Sequence, residues 1–135
     1  HWNNYSVNLV FKDIVEQIYD SSDIQIIKNG FIFKTNFVIK RLGLIDLVEK
    51  EEQYLLDYQT SIKKKVLIVH DSFFEEEYVD REYIEEFFQT DYIRWESILE
   101  MSTDQVNELF QNFDNIIIES GADLFFSTRI LLFQK

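Results

Sequence analysis

Lys63-Lys64-Lys65-Val66-Leu67-Ile68-Val69-His70-Asp71 is the stretch whose reading decides the fold. Four consecutive branched aliphatics bounded by charged residues mark a strand buried on both faces, and such a strand needs layers packed above and below it. The residues after it predict the order strand, helix, strand, helix, strand. Asp80 is placed to cap a helix carrying Tyr83, Ile84, Phe87 and Phe88 on one face, with Val79 and Ile84 spaced as a hydrophobic staple. Tyr92-Ile93-Arg94-Trp95 predicts the next strand, and Asp91 to Met101 also fits a helix. Ser102-Thr103-Asp104-Gln105 is a capping box, and Val106, Leu109, Phe110 and Phe113 follow it at i, i+3, i+4, i+7. Asn115-Ile116-Ile117-Ile118-Glu119 predicts a second buried strand, with Gly121 in the turn after it. Leu124-Phe125-Phe126 and Ile130 to Phe133 predict strands joined by Ser127-Thr128-Arg129.

Working back toward the amino end, Ser6 is a candidate N-cap. Val7, Val10, Phe11, Ile14, Val15 and Ile18 keep helical spacing to about Tyr19, with Tyr5 and Val10 spaced as a staple. Asp20-Ser21-Ser22-Asp23 stops that helix. Ile24 to Lys28 and Phe31 to Lys34 are short β-rich runs joined by Asn29-Gly30, a dipeptide suited to a type I′ turn, so a β-hairpin is expected. Phe37-Val38-Ile39 continues as strand. Ile45, Val48, Glu52 and Leu55-Leu56 stand at helical steps and favour a helix over Leu44 to Gln59. A bent strand with a charged turn at Glu49 to Glu52 is the alternative for those residues.

A length of 135 residues predicts one domain, 1–135, and 46% hydrophobic residues are too many for a disordered acidic tail. There is no cysteine, which removes disulfides, thiolate metal sites and cysteine nucleophiles, and which fits a reducing, cytoplasmic setting. The longest apolar runs, Val66 to Val69 and Ile130 to Phe133, fall far short of the ~20 residues of a membrane helix. Three separated glycines, Gly30, Gly43 and Gly121, exclude a P-loop or a G-x-G-x-x-G loop, which need clustered glycines to wrap phosphate. Apart from His1 the only histidine is His70, so a histidine-rich zinc site is excluded within one chain.

Charge is distributed unevenly. From Asp71 to Asp104 there are 12 acidic residues against Arg81 and Arg94, and this segment holds ten of the twelve net negative charges. The first 70 residues balance 9 acidic against 9 basic. Such a chain is not expected to bind nucleic acid or anionic lipid directly, because phosphate attraction supplies most of that affinity. It favours a basic protein partner.

Two constellations stand out. His70, Asp71 and Ser72 end a buried strand, and Glu119 ends another. Ligands of open α/β sheets bind at such carboxyl ends, so His70, Asp71 and Glu119 are the catalytic candidates. The run Val66 to Ser72 resembles the first strand of response-regulator receiver domains, which ends in an acidic pair. Position 70 is histidine here and the remaining chain is too short for five strand–helix units, so no function is carried over. Glu75, Glu76, Glu77, Asp80, Glu82, Glu85 and Glu86 form the second constellation, a candidate docking face for a basic partner. Glu75 to Glu77 lack the D-x-[DN]-x-[DN]-G pattern of a calcium loop, so no metal and no cofactor is expected. Tyr78, Tyr83 and Tyr92 interleave with this acid, whereas Trp95 beside Ile93 and Ile98 reads as core.

The expected fold is a single α/β or α+β domain, an N-terminal helix and β-hairpin followed by a β-α-β-α-β-like core. An α+β protein with a mainly antiparallel sheet is the alternative. The favoured function is a small acidic interaction domain of inhibitor or immunity type, acting on a toxin or nucleic-acid-handling partner. A small α/β enzyme domain using His70 and Asp71, and a structural or accessory subunit, are the alternatives, and catalysis is less favoured than binding.

Overall fold

A computed structural model of the chain describes residues 4–34, 49–71, 80–121 and 128–134. The protein is mixed α/β and divides into two compact units, residues 1–58 and residues 59–135.

The first unit is a helix against a two-stranded antiparallel sheet. Helix α1 (Asn4–Tyr19) buries Phe11, Ile14, Val15 and Ile18 of the expected stripe, but Val7 is exposed, Val10 is half-buried, and Asn8 is buried in the first turns instead. It includes Asn4 and Tyr5, ahead of the expected cap at Ser6. The reason is tertiary: Asn4 donates its backbone N–H to Glu51 Oε1 at 2.7 Å and accepts the Tyr54 N–H on its side-chain oxygen. Tyr5 consequently lies inside the helix, edge-on to Tyr54 with ring centroids 4.9 Å apart. The helix ends where Asp20 turns to φ 48° and Ser21 N–H reaches back to the Glu16 carbonyl at 3.0 Å, a Schellman-type stop.

Strand β1 (Gln25–Lys34) pairs with β2 (Glu49–Asp57), and both depart from expectation. Asn29-Gly30 makes no hairpin turn. The strand runs through it with a bulge: β1 advances from Lys28 to Phe31 while β2 advances only from Tyr54 to Glu52. Gly30 takes φ 72°, as both a bulge and a turn can require, but Asn29 is not among the described residues with positive φ, and a type I′ turn needs both. The helix expected from Leu44 to Gln59 is strand over Glu49–Asp57, and so is the charged turn of the alternative reading; Phe37 to Ile39 and Leu44 to Val48 lie outside the described residues. Cross-strand pairing decides it. Lys28 pairs with Glu52, Lys50 sits 4.0 Å over the Phe31 ring, and Leu56 is buried opposite Ile26.

The second unit is a four-stranded sheet in the order β4-β3-β5-β6, made from β3 (Lys64–His70), β4 (Phe88–Arg94), β5 (Asn115–Gly121) and β6 (Thr128–Gln134). Strands β4, β3 and β5 are parallel and only β6 runs against its neighbour. The mainly antiparallel alternative is therefore not the one formed. Register puts Leu67 and Val69 of β3 on one face with Ile93 of β4 and with Ile116 and Ile118 of β5. That face is packed by Trp95 and Ile98 of helix α3 (Trp95–Leu99) and by Leu109 and Phe110 of helix α4 (Thr103–Gln111), with Phe113. The opposite face carries Val66, Ile68, His70, Asn115, Ile117 and Glu119, and these are buried as well. Burial on both sides is the property announced by the uninterrupted aliphatic run.

Helix α2 (Arg81–Glu85) is shorter than expected. Asp80 caps it, accepting the Tyr83 N–H at 3.1 Å, but Phe88 already opens β4 opposite Lys64. Val79, the other half of the expected staple, lies outside the described residues. The capping box at Ser102 and Gln105 forms with both of its hydrogen bonds. Gly121, expected in a turn, closes β5, and Thr128 and Arg129, expected between strands, belong to β6; Leu124 to Phe126 are outside the described residues. At the amino edge Asp114 locks the sheet, donating its N–H to the Lys65 carbonyl while its carboxylate accepts the Lys65 N–H, both at 2.9 Å.

Candidate functional site

The chain leaves β3 toward β4 on one side and leaves β5 toward β6 on the other, and β3 and β5 are neighbours. In strand order, the carboxyl ends of β3 and β5 are thus a topological switch point, where the two connections diverge. His70 and Asp71 end β3 at this point, and Glu119 lies one residue beyond the last β3–β5 pair, Val69 with Ile118. All three strand-end candidates therefore stand together.

Glu119 is 2% exposed. Its Oε2 accepts the Asp71 N–H at 3.1 Å and its backbone carbonyl accepts the Trp95 indole N–H at 2.9 Å. One residue thus ties the ends of β3 and β5 to the start of α3. Burial pushes the Glu119 carboxyl up to about 7; the Asp71 N–H works against that shift, and the Asp71 side chain adds to it by hydrogen bonding and by its negative charge.

His70 is also 2% exposed. Its Nδ1 lies 2.7 Å from the Asp71 carbonyl oxygen, and because a carbonyl only accepts, Nδ1 carries the proton. The imidazole stands edge-on to Tyr92 at 6.3 Å, and the Arg81 guanidinium lies 4.0 Å over the Tyr92 ring. Burial is the main cause raising the Tyr92 phenol above its ordinary value. Chemically, the group offers one buried carboxyl, that of Glu119, able to hold a proton near neutrality. The imidazole is turned to main chain, and the shallow groove along α4, lined by Met101, Gln105, Glu108, Leu109 and Asn112, includes none of these residues.

The acidic constellation is arranged differently. Asp80, Glu82, Glu85 and Glu86 are exposed. Asp80 caps α2, and Lys63 Nζ donates to the backbone carbonyl of Glu85, which leaves that carboxylate to solvent. No described cation forms an ion pair with these four carboxylates. Glu75, Glu76, Glu77, Tyr78 and Ser72 lie outside the described residues. Among the described residues no group of three or more histidines and carboxylates is disposed to hold a metal, and no described helix is long and apolar enough to cross a membrane.

Sequence reasoning placed Trp95 in the core, where it packs, but its hydrogen bond to Glu119 was not foreseeable, since it depends on the turn from β4 into α3. The Arg81–Tyr92–His70 stack was missed too. Its only signal is the alternation in β4 that puts Tyr92 beside Ile68 on the His70 face. No protein-family model matches the chain, and no curated protein sequence matches it.

Proposed function

We propose that the protein is a small acidic interaction domain, of inhibitor or immunity type, that docks a basic protein partner through the acidic residues around α2. The observation that carries this reading is the exposure of Asp80, Glu82, Glu85 and Glu86 within seven residues, with no described cation paired to them. Mutual repulsion between like charges at helical spacing costs a few tenths of a kcal/mol per pair, which a partner that neutralises them relieves. Concentrated negative charge also steers a basic partner and raises its association rate. Glu75, Glu76 and Glu77 precede α2 in the chain and add to the charge of the same acidic segment. The cysteine-free composition fits action in the reducing cytoplasm.

The test is localisation, because any chain of net charge −12 attracts polycations. An arginine-rich peptide titrated into the labelled chain is expected to shift amide resonances of residues 80–90 first. Replacing Glu82, Glu85 and Glu86 together by Gln is expected to weaken that binding about ten-fold and to flatten its salt dependence. Shifts centred elsewhere, with affinity unchanged in the triple variant, would sink the reading and favour an accessory subunit whose interface avoids the acid.

A further inference from the structure

We propose that a proton on the buried Glu119 carboxyl, donated to the Asp71 side chain, latches the carboxyl ends of β3 and β5 together, so that the fold loosens as the medium passes from mildly acidic to neutral. The argument begins with burial. Glu119 is 2% exposed, and the hydrogen bond its carboxylate accepts from Asp71 N–H is only one of the several that an ionised carboxylate requires. The next charge met is a second carboxylate, that of Asp71, and its influence opposes ionisation. No described cation acts on Glu119.

The surroundings from each neighbouring element agree. From β3 come His70, its Nδ1 committed to the Asp71 carbonyl, and Asp71 itself. From β4 and α3 come Arg94, half-exposed and paired with Glu96 at 3.3 Å, and the Trp95 indole on the Glu119 main chain. Arg81 of α2 is stacked on Tyr92. On β6 the residue in register with Glu119 is Ile130, and Arg129 is in register with Ser120. A neutral Glu119 can donate its proton to the Asp71 carboxylate while its Oε2 keeps the Asp71 N–H. An ionised one sets two negative charges against each other at the ends of β3 and β5.

The direction of the pH effect follows. In the unfolded chain the Glu119 carboxyl ionises near its ordinary 4.5, so below that both states hold the proton and the latch contributes in full. Between there and about 7 only the folded state retains it, and stability drains as pH rises. Across that window the folding constant is expected to fall by up to about ten-fold per pH unit and then to level off.

Urea unfolding of the full chain in a Trp2→Phe background, read by Trp95 emission, tests this between about pH 5 and about pH 8. The midpoint is expected to fall toward neutrality in the parent, to be flat in Glu119→Gln, and to keep its slope in His70→Gln. A flat parent, a slope surviving in Glu119→Gln, or a slope abolished by His70→Gln overturns the proposal. Should Glu119→Gln not fold, the Glu119 side-chain carboxyl carbon in the parent decides by NMR. Titration near 7 supports the latch, and titration near 4.5 overturns it.

Discussion

Asn8 is fully buried on the packed face of α1, at a position where helical spacing calls for an apolar side chain. Its amide donates to the Tyr54 carbonyl at 2.8 Å and to the Asn4 carbonyl at 2.9 Å, so the side chain stitches the helix to β2. Removing a buried donor leaves an acceptor without its partner, which costs about 1–3 kcal/mol, and a small cavity adds to it. Asn8→Ala is therefore expected to lower the urea midpoint markedly, and Asn8→Asp to lower it further, because Asp offers the two carbonyls no donor at neutral pH. Nothing in the sequence shows that this asparagine meets β2, since the Tyr54 carbonyl is brought to it only by the fold. Glu119 presents the converse case. Its place at the end of an aliphatic run made it legible as a strand-end group, but its hydrogen bonds to Asp71 and Trp95 were visible only in the fold.

Elements whose signals are local were readable, and α4 is the clearest. Ser102 and Gln105 satisfy each other's backbone donors, and Leu109 and Phe110 set the inward face. Ser102→Ala is expected to cost about 1 kcal/mol and to speed amide exchange at the first turn of α4 before it affects β3 or β5. Unchanged exchange there would mean that tertiary packing alone holds the helix end. The aliphatic runs of β3 and β5 were readable for the same reason, because burial on both faces leaves no room for polar alternation. Where the deciding partner is distant in sequence, local pattern misled. Gly30 supplies a positive φ that serves a bulge as well as a turn, and only the presence of β2 alongside β1 distinguishes them. Strand β2 itself alternates its charged and apolar residues loosely enough to satisfy helical spacing, and pairing with β1 overrides that preference. Helix α2 stops after Glu85 because Phe88 is held in the β4 ladder opposite Lys64, a constraint with no trace in the run from Tyr83 to Phe88.

At the scale of the whole chain the uneven charge becomes a physical property of each unit. Residues 1–58 carry 9 acidic and 6 basic side chains, and residues 59–135 carry 16 and 7. In the first unit two ion pairs join described lysines to carboxylates. Lys12 lies 2.9 Å from Glu16, and Lys28 is paired with Glu52. The hydrogen bonds from these lysines hold both carboxyls below their ordinary value. In the second unit the exposed carboxylates around α2 form no ion pair with a described cation, so like-charge repulsion among them is less offset than in the first. Salt should therefore act on the two units with opposite signs. Raising NaCl from about 10 mM to about 200 mM shortens the screening length from roughly 30 Å to below 10 Å, which weakens attractive surface pairs and relieves like-charge repulsion alike. Amide exchange followed residue by residue is expected to show protection falling slightly in α1 and β1 and rising in α2 and β4. Neutralising Glu82, Glu85 and Glu86 with Gln should remove most of the rise while leaving the fall untouched. Equal changes in both units would show instead that salt works through general exclusion from the protein surface, and that the acid around α2 exerts no measurable strain on the fold that carries it.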